Sequence, residues 1–210
     1  MLFQGFDSPD FDTFKIDGLD ARMEAIKERV RPKFQIIGEK LIEDLSVLAG
    51  NEMFLHIAKH ARRTVNPPKD TWLAIAANKR GYKKHPHFQI GLFDDHVFIW
   101  LAFIYELPNK TEIAKNFLEE LDLLKELIPN EYVLSMDHMK KDAESMEKLG
   151  EEGLRKSLQR FRDVKKSEFL IGRHIQANDP VLKDGEKFLF LAEDTFKTLF
   201  PLYQLSFQQK

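Results

Sequence analysis

The chain has 210 residues, 43% hydrophobic and 31% charged, with a formal net charge of −2; this suffices for one substantial core and is too apolar for a disordered chain. It contains no cysteine, which excludes disulfide staples, thiolate metal sites, iron–sulfur clusters and a cysteine nucleophile. Eighteen phenylalanines predict a core rich in aromatic area.

At the N-terminus, MLFQGFDSPDFDTF lacks a basic start followed by an apolar run, so no secretory signal is expected. Leu19, Met23, Ile26 and Val30 recur at helical spacing, with Asp17 and Asp20 placed to cap. Pro32 should kink or interrupt that helix; the pattern resumes at Phe34, Ile37, Leu41, Leu45 and Leu48 and stops at Gly50. Strand-like segments follow: MFLHIAKH at 53–60, TWLAIAANK at 71–79, HFQIGLF at 87–93 and VFIWLAFIYE at 97–106. The last two are joined by a turn at Asp94-Asp95-His96. The fourth is apolar at nearly every position, which predicts a central, covered strand. It is also half the length of a membrane-spanning helix, so a cytoplasmic protein with no membrane association is expected.

Asn109 and Glu112 have capping-box spacing at the start of a helix carrying Ile113, Phe117, Leu121, Leu124 and Leu127. A short strand at 131–135 precedes a charged helical region from about 140 to 164, broken near Gly150 and Gly153. SEFLIGRHI reads as a further strand, and a helix from about Asp184 carries Phe188, Leu191, Phe196 and Leu199, with Pro201 near its end. Hairpin-linked strands in mid-chain argue for an α+β fold of one domain spanning 1–210: a mainly antiparallel sheet packed against helices as a two-layer sandwich.

Charge is unevenly spread. Residues 56–87 hold eight Lys and Arg against the single acid Asp70, a local net charge of +7, while the remainder carries −9. Such an excess focuses a field on anionic partners. In HIAKHARRTVNPPKDTW, an extended 56–63 would set His56, Ala58, His60 and Arg62 on one face, with Ile57, Lys59, Ala61 and Arg63 on the other. Arg offers a planar fork to phosphate oxygens and Lys a point charge. NKRGYKKHPHF repeats the theme, with Tyr82 between Arg80, Lys83 and Lys84. The anion-site reading therefore takes Lys59, His60, Arg62, Arg63, Lys69, Arg80, Lys83, Lys84 and His87 as ligand contacts. Trp72 or Tyr82 would stack on a base or sugar. The competing structural reading is an edge strand and a hairpin tip defended by charge.

His56 with His60, and His85 with His87, have spacings compatible with metal ligation, but nearby cations repel a dication and no acidic ligand adjoins them. No metal and no cofactor are expected. For catalysis the candidates are Asp137-His138 and Arg173-His174, since imidazole is a natural proton shuttle; a cap, a surface His or a core polar pair explains them equally. Nucleophile elbow, P-loop, dinucleotide and kinase fingerprints are absent.

The strings IDGLDARMEAIKERVRPKF, HIAKHARRTVNPPKDTW, KRGYKKHPHFQIGLF and FLIGRHI, in this order, resemble the YktB family of uncharacterised proteins from Bacillus-like bacteria, over nearly the whole chain. The resemblance implies a single α+β domain whose sheet is loosely similar to the biotin-ligase and class II synthetase topology, and it carries no functional residue. From the residues themselves, the leading expectation is a module binding nucleic acid or a nucleotide through the 56–87 face. The alternatives are an enzyme acting on a small phosphorylated or carboxylated substrate through a histidine, and a module docking an acidic partner protein.

Overall fold

Strands whose residues alternate between two apolar faces need cover on both sides, and the central strands here are buried at every position. The computed structural model describes residues 2–208 and contains a seven-stranded sheet. Its strands are β1 (Phe54–Ile57), β2 (Thr71–Ala76), β3 (His87–Leu92), β4 (His96–Phe103), β5 (Val133–Ser135), β6 (Glu144–Ser145) and β7 (Phe169–Gln176). They lie in the order β1-β2-β3-β4-β7-β5-β6, and every pairing is antiparallel. β4 holds the middle place and all eight of its residues are buried, as its near-continuous apolar run demands. This is the expected α+β class, a sheet packed on helices.

The helices are α1 (Ser8–Asp12), α2 (Leu19–Ala25), α3 (Arg31–Ala49), α4 (Lys110–Glu119), α5 (Leu121–Leu127), α6 (Met146–Asp163) and α7 (Gly185–Leu205). One face of the sheet, carrying Leu73, Ile75, Phe88, Ile90, Ile99, Leu101, Phe103 and Ile171, packs with helix residues such as Phe34, Ile37, Phe117, Phe161, Phe188 and Phe196. The opposite face carries a smaller cluster, including Trp72, Ala74, Phe98, Trp100, Ala102 and Leu170. Polar residues His56, His87, Gln89 and His174 share that second face, because their register partners Ala74, Ala102, Trp100 and Phe98 lie on it. These polar side chains therefore lie on the face that the helical layer leaves uncovered.

Several local expectations are corrected. The helical run is interrupted just ahead of Pro32: a π-helical turn at Ile26–Val30 separates α2 from α3, and Pro32 falls in the first turn of α3. Gly50 closes α3 with φ 67°, the left-handed C-cap. Asn109 makes no side-chain cap, so the capping box is not formed, and a break at Glu120 divides the 113–127 stripe between α4 and α5. Residues 140–143 are not helical, and α6 begins at Met146, with Ser145 accepting from the Lys148 N–H. Gly150 (φ 56°) interrupts α6 near its start. Pro201 lies inside α7.

Gly172 in β7 is required by close approach: a Cβ there would stand 1.9 Å from the Ile99 carbonyl oxygen of β4. No helix among the described residues is long and apolar enough to cross a membrane.

Candidate functional site

Two loops leave β2 from its opposite ends and line one pocket on the uncovered face. The first, residues 58–70, is not extended as expected. β1 ends at Ile57, His60 adopts φ 50° and residues 61–62 form a turn. The alternation that would have split these residues between two faces is therefore lost. Its ends are anchored from the helical layer: Arg31 donates to the Lys59 carbonyl at 3.0 Å, and the buried Arg22 donates to the carbonyls of Pro68 and Ile16 at 2.9 and 2.8 Å. The second loop turns at Gly81, whose φ of 69° suits glycine, and sends Tyr82 inward from a short 3₁₀ turn at Tyr82–Lys84.

The pocket has a volume of about 770 Å³ and is lined by Lys59, Arg62 and Arg63 from the first loop and by Lys79, Arg80, Lys83 and Lys84 from the second. Glu106 is the one carboxylate in the lining and lies 3.9 Å from Lys83. Among the described residues, Lys59, Arg62, Arg63, Arg80 and Lys84 have no carboxylate within ion-pair distance.

Trp72 is the hub of the floor. Its indole N–H donates to the Tyr82 hydroxyl at 2.8 Å. The Lys83 ammonium lies 5.4 Å from its ring centroid, the His60 ring 5.4 Å and the His138 ring 6.1 Å. At 8% exposure, with its N–H already used, Trp72 supports the floor and has little area left to stack on a base. Tyr82, half-buried, stacks on His56 at 4.8 Å and stands edge-on to His87 at 5.0 Å. Burial pushes the Tyr82 phenol up to about 12, so it stays protonated and free to donate.

His87 is fully buried beneath Tyr82. Its Nδ1 bonds the His85 carbonyl at 2.7 Å, and its Nε2 accepts from Gln89 at 2.8 Å. It is a supporting residue, and burial depresses its pKa to about 3. His60, bonded to the Thr71 hydroxyl at 3.0 Å, is held down to about 4 by burial, helped by Arg63, Arg31 and Lys83. Both rings are neutral at pH 7, as a crowd of cations in a partly desolvated site requires. Lys69 is exposed and lies outside the lining.

Of the two catalytic dipeptides, one reaches the pocket. His138 lines it, carried on a turn that Asp137 closes by accepting from the Met139 N–H at 2.9 Å. Its Nδ1 faces both oxygens of Glu168 at 2.8 Å, and its backbone N–H donates to the same carboxylate at 2.7 Å. Glu168 is 1% exposed; sequence reasoning missed it because nothing local links residues 30 apart. Its own N–H bonds the Met136 carbonyl at 3.1 Å, which seats β7 against the His138 turn.

Arg173 and His174 lie elsewhere. Arg173 shares the helical face with its partner Ile99, stacks 4.5 Å over Tyr132 and lies 3.5 Å from Glu131. His174 packs 4.1 Å from His96 and 4.9 Å from Trp100. It stands three strands from Trp72 along the row Trp72–Gly91–Phe98–His174, roughly 14 Å at one strand spacing each.

Asp70 is the anomaly. It is 2% exposed, one of its oxygens has no partner, and burial pushes its carboxyl up to about 6 against the pull of His138, Arg63 and Lys83. As for metals, the histidines at 56, 60, 85 and 87 form no ligand cluster among the described residues. Asp137, His138 and Glu168 do bring ligand atoms within 4.8 Å of one another. Both Glu168 oxygens already accept from His138, which is the geometry of an oriented imidazole.

The family model described as "Domain of unknown function (DUF1054)" matches residues 6–203. The chain belongs to this family. It is 60% identical over 206 residues to a UPF0637 protein of Shouchella clausii, covering 98% of this chain and 96% of that protein. To a UPF0637 protein of Oceanobacillus iheyensis it is 61% identical over 206 residues, covering 98% of each. To one of Listeria monocytogenes it is 50% identical over 208 residues, covering 99% of this chain and all of that protein. These matches agree with the YktB-like resemblance. Every pocket residue of this DUF1054 chain, and the His138–Glu168 pair, falls inside the matched span.

Proposed function

We propose that the protein binds a phosphate-bearing small molecule of nucleotide size in the basic pocket. One observation carries this reading: cations from two loops converge on a single concavity, and most of them lack an acidic partner. A volume of about 770 Å³ suits a small-molecule site, for which several hundred Å³ is usual. Arg62 and Arg63 supply guanidinium forks, Lys59, Lys83 and Lys84 supply point charges, and the rim of Tyr82 offers an apolar contact with a hydroxyl donor. A polynucleotide would use the same charges along a track, so the size of the ligand is part of the claim.

Isothermal titration with inorganic phosphate, AMP and ATP tests it, alongside anisotropy of labelled single-stranded and duplex RNA and DNA across a salt series. The expected result is saturable nucleotide binding that weakens at least tenfold in Arg62→Glu/Arg63→Glu. Steep salt dependence with polynucleotides and none with nucleotides would transfer the site to nucleic acid. Unchanged affinity in the double variant would overturn the reading.

A further inference from the structure

We propose that His138, oriented by Glu168, is the general base of this pocket and that the bound molecule is a phosphate ester which the protein hydrolyses. The inference rests on the phosphate-pocket reading and goes beyond it by making the ligand a substrate.

Three features of the geometry carry it. First, Glu168 takes the His138 Nδ1 side at 2.8 Å and also accepts the His138 backbone N–H at 2.7 Å. The ring is thereby fixed with its proton on Nδ1 and its Nε2 lone pair pointing away from the carboxylate. A buried carboxylate used in this way sets tautomer and orientation and stabilises the imidazolium that forms on proton uptake. Second, Nε2 has no protein partner among the described residues and is not a buried atom, while the residue itself lines the pocket. Third, the His138 ring and the Lys83 ammonium flank the same indole, 6.1 and 5.4 Å from the Trp72 centroid. Lys83 and Arg63 line the same pocket as His138, so a phosphate held by these cations lies in the concavity that the imidazole enters.

The nucleophile is water. Cysteine is absent, and among the described residues no serine or threonine hydroxyl bonds His138. His138 Nε2 takes one proton from a water, and the hydroxide oxygen bonds phosphorus. The ester P–O bond breaks with its electron pair on the leaving oxygen, opposite the attacking water; that oxygen takes a proton from solvent, and the imidazolium gives its own proton back to solvent. Ester and water become phosphate and alcohol, with no other reactant. The unpaired cations neutralise charge gathering on the phosphoryl oxygens.

His138 is the catalytic residue and Glu168 a positioning residue, and their variants should differ accordingly. The assay follows nitrophenol release by the full-length protein from p-nitrophenyl phosphate, a monoester, and bis(p-nitrophenyl) phosphate, a diester, with phosphate binding measured in parallel by calorimetry. Turnover of one ester identifies which class the pocket takes. His138→Gln should lower kcat about 100-fold or more, as loss of a general base does. Glu168→Gln should lower kcat about tenfold with KM within twofold, a split that mere loosening of the fold would not give. Retained phosphate binding certifies that each variant is folded. Phosphate binding without turnover of either ester overturns the hydrolase inference and leaves the binding site standing. Turnover unaffected by His138→Gln overturns it as well. Absence of phosphate binding together with absence of turnover removes both readings.

Discussion

Asp70→Asn should stabilise the protein at pH 7, by an amount that depends on pH in a prescribed way. In the folded state burial raises the carboxyl from 3.8 to about 6, and the side chain is 2% exposed. The fold therefore favours the protonated acid. Asp70 contributes fully below the unfolded pKa near 4, and that contribution is lost as pH rises through about 6. At about 1.36 kcal/mol per pKa unit, a shift of about two units makes ionised Asp70 cost on the order of 3 kcal/mol at pH 7. Asparagine is nearly isosteric and never ionises. Its amide, placed where one carboxylate oxygen has no partner, brings a packing or hydrogen-bond cost of its own, but that cost is the same at every pH. The informative quantity is therefore the difference between the variant's effect at pH 7 and at pH 4, expected to be about 2 kcal/mol or more in favour of the variant at pH 7. Urea unfolding of both proteins at the two pH values measures it. Equal effects at pH 4 and pH 7 would refute the claim that Asp70 is a strained buried acid.

Acid should unfold the protein. His60, His87 and His174 have folded pKa values of about 4, 3 and 3, below the ordinary 6.5. The unfolded chain takes up protons first, and stability drains away as pH falls from about 6.5 toward 3; above pH 7 these groups contribute nothing. Shifts of about 2.5 to 3.5 pKa units amount to several kcal/mol per histidine against a typical total of about 5–15 kcal/mol; circular dichroism should show a fold weakened but present at pH 4 and lost cooperatively by about pH 3, and a native spectrum at pH 3 would contradict this. Gly172→Ala should cost about 4 kcal/mol or more, because β4 and β7 must part to admit a Cβ 1.9 Å from the Ile99 oxygen; a urea midpoint equivalent to a loss under 1 kcal/mol would refute it. Arg62→Glu/Arg63→Glu should raise the melting temperature of the ligand-free protein, since it converts repulsion among unpaired cations into attraction; a lower melting temperature would count against unrelieved repulsion.

The sheet was legible where its chemistry is local. Hydrophobic runs bounded by turn residues located β2, β3, β4 and β7, and the unbroken apolarity of 97–104 marked β4 as central. Two-residue β6 has no pattern to read, because its pairing partner Val133–Ser135 supplies what its own sequence lacks. The turn at 61–62 was hidden for another reason: His60 enters the left-handed region without a glycine to announce it. The basic segments were visible from charge density, and their convergence followed from their flanking one short strand. His138 could be nominated but not chosen over His174, because what distinguishes them is a carboxylate 30 residues away and a register that places His174 beside His96.

The features that are costly to the fold gather around Trp72. Asp70 is buried without enough partners, His60 and His87 are held neutral, several cations lack counter-ions, and the His60 backbone is strained; each lies in or beneath the pocket. Packing elsewhere is conventional, with phenylalanines from α3, α4, α6 and α7 filling one face of the sheet. Buried polar atoms without partners also occur elsewhere, at His96, Tyr132, Ser167 and Arg173, and His174 is likewise held neutral, so the pocket is distinguished by its gathering of such groups together with cations. The helical layer makes this possible: by covering only one face and anchoring the first loop through Arg22 and Arg31, it leaves the other face of β1–β4 to carry polar side chains that a two-sided core would have excluded. On the proposed reading, an anion entering the pocket supplies the counter-charge that Glu106 alone cannot, and its binding relieves part of these costs.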